Sequence, residues 1–120
     1  MVKFRFQDLD IWEMAIEIGD KLFDIADMLE HKRLYRFGEQ VRGAVMSISN
    51  NIAEGSGCPS DKEFARLLEY SRRSVFENAN IAIILHRRKL IDEKTMNELL
   101  EDFDHLCRKI TSFKNSLQGA

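Results

Sequence analysis

Apolar residues recur at steps of four and three in four separate stretches of this chain, and no stretch alternates with a period of two. Ile11, Ala15, Ile18, Leu22, Ile25 and Leu29 form the first stripe, and Val41, Val45, Ile48 and Ile52 the second. The third runs Phe64, Leu68, Ser71, Val75, Asn78, Ala82, Leu85, and the fourth Met96, Leu99, Leu100, Phe103, Leu106, Ile110, Phe113, Leu117. Steps of this kind place residues on one face of an α-helix, whereas a half-buried strand needs alternation. One proline and six glycines in 120 residues leave little material for turns, so few and long helices are expected. Asp8 or Asp10 is expected to cap the first helix and Gly55 to stop the second. Ser60 and Glu63 read as a capping box for the third helix, and Asp92 as the cap of the fourth. Short connections join neighbours that run in opposite directions. The sequence therefore predicts an all-α, antiparallel up-down four-helix bundle, with residues 1–120 as one domain.

Hydrophobic residues make up 44% of the chain and charged residues 32%, a soluble globular balance with a net charge of −2. Bulk charge of that sign does not coat nucleic acid. Cys58 and Cys107 stand far apart with no CxxC motif, which suits a reducing compartment. "MVKFRFQDLD" lacks the apolar run of a signal peptide, and "NIAIIL" at 80–85 is too short for a membrane span. A cytoplasmic protein with no membrane contact is expected.

Two helices carry a second apolar stripe. Trp12, Ile16, Gly19 and Phe23 lie at about 80–140° from Ile11, counting about 100° per residue. Phe76 and Ile83 lie about 100–120° from the Phe64 stripe by the same count, with Ile84 further round. Paired apolar stripes rimmed by charge mark association surfaces, so Trp12, Ile16, Phe23, Phe76 and Ile83 are expected at a subunit interface. Charge is segregated too. Residues 8–30 carry eight acidic residues against one lysine, while residues 31–42 and 60–89 are each net +3. An acidic first helix beside basic segments suits pairing between subunits.

No constellation for catalysis can be assembled. A di-iron bundle needs two Glu-x-x-His motifs, and the chain offers Asp102-x-x-His105 once. There is no G-x-S-x-G elbow, and the "GSG" after Glu54 follows no strand and precedes no Gly-Lys-Ser/Thr. No enzyme activity, metal, cofactor or small-molecule substrate is expected. Basic residues leave one chemical option. Lys32, Arg33, Arg36 and Arg42 cluster at the first connection, Arg66, Arg72 and Arg73 lie along the third helix, and Arg87 and Arg88 close it. Brought together, they would bind nucleic-acid phosphates; cations at a helix C-terminus also complement its dipole.

The second helix contains the most unusual stretch, "VMSISNNIAEGSG". Taking Val41 as 0°, Gln40, Ser47, Asn51 and Glu54 form a polar stripe at about 220–280°, beside the apolar one. Ser71, Ser74 and Asn78 offer matching polar groups on the third helix, so a hydrogen-bonded seam between the two helices is expected. Asn50 points outward at about 180°.

"LDIWEMA", "YRFGEQVRGAVMSISNNIAEGSG" and "SDKEFARLLEYSRRSVFE" resemble the bacterial four-helix-bundle family named for intervening sequences in large-subunit ribosomal RNA genes. The resemblance spans about residues 6–115, and "QVRGAVMSISNNIAEG" is its most specific block. The proline that usually precedes the second helix in that family is replaced here by "EHKRLYRF". The family is similar to accessory proteins of diversity-generating retroelements, which are pentamers that bind nucleic acid and a reverse transcriptase through a strongly basic surface. The resemblance implies a homo-oligomer, with a pentamer favoured, and partners among RNA, DNA and a reverse transcriptase. The alternative function is a protein-interaction scaffold of the same fold that has no nucleic-acid role.

Overall fold

The computed structural model describes residues 1–118. A single 3-10 turn at Arg5–Asp8 leads into four helices: α1 (Asp10–His31), α2 (Tyr35–Ser56), α3 (Asp61–Arg87) and α4 (Glu93–Gln118). No strand occurs among the described residues. The packing closes a ring: α1 lies on α2, α2 on α3, α3 on α4, and α4 touches α1.

The predicted stripes form the core. All seven stripe positions of α3 are buried, including polar Ser71 and Asn78, and Leu99, Phe103, Leu106 and Ile110 bury the centre of α4. On α1 the stripe slips by one residue: Ala26 is fully buried, while Ile25 packs at the margin. A repeat averaging 3.5 residues drifts around a helix of 3.6 residues per turn, so the buried position moves along the sequence after a few turns.

The helix ends depart further from expectation. Leu9 stands at the N-cap of α1 and makes no side-chain cap. Asp8 is taken into the 3-10 turn, where its carboxylate holds Lys3 at 2.7 Å, and Asp10 is already helical. Ser60 does cap α3, accepting from the Glu63 N–H at 3.2 Å. The Glu63 carboxylate turns to Arg66 at 3.0 Å, so the cap is one-sided. Asp92 accepts from the Thr95 N–H at 2.8 Å, as expected of the α4 cap. Helix α2 runs through Gly55 to Ser56, and Gly55 does not stop it.

Helices α1 and α3 end in the same motif. Leu34 N–H donates to the Leu29 carbonyl and Arg33 N–H to Glu30; Leu90 and Lys89 repeat these bonds to Leu85 and His86. The motif places Arg33 at φ 63° and Lys89 at φ 62°, the left-handed conformation that glycine usually supplies. A side chain there costs about 1–2 kcal/mol, part of which glycine would return as backbone entropy. Arg33→Gly and Lys89→Gly are each expected to stabilise the fold by up to about 1 kcal/mol, a rise of about 4 °C in Tm by circular dichroism. An unchanged or lower Tm in both variants would show that the conformation costs nothing here.

Candidate functional site

The α2–α3 seam forms, but from fewer residues than the angular count suggested. Ser47 and Ser74 share a hydrogen bond of 2.8 Å, and the Ser71 hydroxyl donates to the Ile48 carbonyl at 2.8 Å. Asn78 donates to the Ala44 carbonyl at 2.9 Å and to Ser74 at 2.8 Å. Asn51 turns back onto its own helix, donating to Ser47 at 2.8 Å. Gln40 and Glu54 are exposed, at either end of the contact, and neither makes a side-chain hydrogen bond to α3 among the described residues. No buried side-chain nitrogen or oxygen lacks a partner among the described residues, so this polar strip serves the fold. Asn50 is exposed on the outer side of α2.

The basic residues separate into two groups. Arg42 clamps α2 to α1 by binding Asp27 at 2.6 Å and Glu30, which raise its pKa, with Glu30 the stronger influence. Its charge is spent inside the chain, so it leaves the phosphate-binding set. Along α3, Arg66 binds Glu63 and the Tyr70 hydroxyl, and Arg72 grips Glu69 through two bonds of 2.9 and 2.7 Å. Arg73 lies 3.6 Å from Glu69, and Lys114 reaches the same carboxylate from α4 at 3.0 Å. Arg72, helped by Lys114, holds the Glu69 carboxyl down at about 2. Arg66 and Arg73 both cover the Tyr70 ring, while Arg72 covers Phe76. The carboxylate partners of these three arginines lie on α3 itself, and Lys114 ties α4 to Glu69.

Lys32, Arg33, Arg36, Arg87, Arg88 and Lys89 form the second group. All six are exposed, and none has an ion-pair partner among the described residues. The first turns of α2 and the last turns of α3 line a common groove, with Arg36, Phe37 and Gln40 on one side and Glu77, Asn80, Ile81 and Ile84 on the other. The start of α2 therefore lies beside the end of α3, and the connections that carry the two basic clusters adjoin these neighbouring helix ends.

The expected interface residues divide similarly. Phe76 is 60% exposed and Ile83 42%, with Ile84 and Ile16 at 39% and 36%. Trp12 and Phe23 are partly buried and pack against the core, and Phe6 of the 3-10 turn lies 5.1 Å from the Trp12 ring. Gly19 is buried, facing Val45 of α2. Met46 and Tyr70 are further exposed apolar side chains that no stripe had marked. Among the described residues, no group of three or more His, Cys, Asp or Glu side chains is placed to hold a metal ion. No described helix is long and apolar enough to cross a membrane.

No curated protein matches the chain. The family model described as 23S rRNA-intervening sequence protein matches residues 7–112, which include all of α1, α2 and α3 and most of α4. That span holds the whole seam and both basic clusters. The chain thus belongs to the 23S rRNA-intervening sequence protein family.

Proposed function

We propose that this protein is a non-enzymatic, homo-oligomeric bundle that binds the phosphate backbone of structured RNA through the pole built by its two basic connections. One observation carries the reading: Lys32, Arg33, Arg36, Arg87, Arg88 and Lys89 flank the neighbouring ends of α2 and α3 and have no carboxylate partner among the described residues. Cations left unpaired and fully hydrated are the ones that can exchange solvent and counterions for phosphate. Arg33 and Lys89 also hold these charges at positions where glycine would be more stable, a cost that binding explains. The acidic outer surface of α1 would orient the pole toward a polyanion.

An antiparallel, up-down arrangement is part of this reading. Contacts between residues 44 and 78, 48 and 71, and 55 and 64 support it, since one number rises as the other falls. Self-association is supported by exposed Phe76 and Ile83 on one flank of α3, and five copies is the assembly the family resemblance implies. An oligomer would repeat the pole and multiply a modest affinity.

The test is an RNA hairpin titration at two salt concentrations. Arg36→Glu/Arg87→Glu/Arg88→Glu is expected to weaken binding about 100-fold and to flatten the dependence of log K on log salt by about 2 to 3. Arg73→Glu, about 21 Å from Arg87 along α3 and so beyond the reach of screened charge, is expected to change affinity by less than about threefold. Binding that ignores salt, or a triple variant that binds like the parent, would remove the phosphate reading and leave the scaffold alternative.

A further inference from the structure

The groove beside the basic pole borders the core through Phe37 and Ile81, and its lining is chemically mixed. Its volume is about 320 Å³, within the range of small-ligand sites. Phe37, Ile81 and Ile84 supply an apolar floor, Ile81 being buried and Ile84 partly open. Gln40 and Asn80 bring an amide from each helix, and neither amide has a hydrogen-bond partner among the described residues. Glu77 adds a carboxylate, and Arg36 stands on the side nearest the basic connections.

From this juxtaposition we propose that the groove receives a single unpaired nucleobase bearing an exocyclic amine, extruded from the RNA whose phosphates lie on the pole. The inference rests on the phosphate reading above and names what the same surface recognises. An extruded base needs an apolar surface for its face and hydrogen-bonding groups for its edge. The floor meets the first need. Amides of the Asn and Gln type pair with the N6 amine and N7 of adenine, and a carboxylate accepts from an exocyclic amine. Glu77 opposes phosphate and favours an amine, so the groove selects the base while Arg36 and its basic neighbours hold the backbone.

Three hairpins of equal length test this: one fully paired, one with a single bulged adenosine and one with a single bulged uridine. The bulged adenosine is expected to raise affinity about tenfold over the paired hairpin, and the bulged uridine, which lacks the amine, by less than about threefold. In Gln40→Ala/Asn80→Ala the adenosine preference should vanish, while the paired hairpin binds within twofold of the parent and the oligomeric mass stays the same. Both positions are exposed, so the double variant keeps the core intact. Equal binding of all three hairpins to the parent protein, or equal gains from adenosine and uridine, overturns the inference and leaves the phosphate reading standing. Failure of all three to bind overturns both. A double variant that changes the oligomeric mass assigns the groove to a neighbouring subunit and overturns the base site alone.

Discussion

Asn78→Asp is expected to cost at least about 3 kcal/mol at neutral pH, a large share of the stability of a domain this size. Asn78 is 1% exposed, and its amide nitrogen donates to two carbonyls, Ala44 on α2 and Ser74 on its own helix. Aspartate removes both donor hydrogens and places a buried negative charge against two oxygen acceptors. Burial and those carbonyls both disfavour the ionised form, so the acid's folded-state pKa rises above its unfolded value of about 3.9. A raised folded pKa makes stability highest below the unfolded value and lower as pH rises through the folded one. The variant should therefore be least stable near neutrality and recover as pH falls toward about 4. In urea at pH 7 the midpoint should drop by about 1–3 M. Asn78→Leu, similar in size, removes the donor without adding charge, and both carbonyls keep their helical bonds. It should lose clearly less than the aspartate variant. Equal losses for the two, or an aspartate penalty independent of pH, would show that the seam is wet and the charge solvated.

The same seam shows which parts of the structure the sequence makes legible. Its central members, Ser47, Ser71 and Asn78, were identifiable because one helical count applied to each helix predicts which faces can meet. Gln40 and Glu54 share that angular range but lie exposed, although α3 approaches α2 closely beside both of them. The ion pairs of Arg42 were hidden too. Its partners, Asp27 and Glu30, lie on another helix, and no local spacing connects them. The Glu63–Arg66 and Glu69–Arg72 pairs were visible in principle, since residues three apart on a helix are neighbours. The two helix ends at Arg33 and Lys89 escaped notice because the usual sign of that turn is glycine, and neither residue is one. The groove was least legible of all, being made by residues 36–40 and 77–84, which only tertiary packing brings together.

Gly55→Ala is expected to destabilise the protein by about 1–3 kcal/mol, although alanine is the better helix former. A glycine after an apolar run usually signals a helix stop, yet Gly55 lies inside α2 and is buried. A methyl group there would meet Phe64 at 2.6 Å from Cδ1 and 3.0 Å from Cε1, with Leu67 Cβ at 3.3 Å. The Phe64 ring has little room to yield. It is 1% exposed, with Phe113 packed edge-on at 5.4 Å and the Arg5 guanidinium over its face at 5.2 Å. Relief therefore requires α2 and α3 to separate, which disturbs the seam two turns away. Helix propensity returns only about 0.5–1 kcal/mol, so the steric term decides the sign. Gly43→Ala is the matched control: it also replaces a glycine within α2, but its added methyl meets nothing within 4 Å. That variant is expected to gain stability. Thermal unfolding should move the two in opposite directions, with Gly55→Ala falling by at least about 4 °C. If both variants gain, α3 does not press on Gly55, and the close approach of these two helices is not what requires a glycine there.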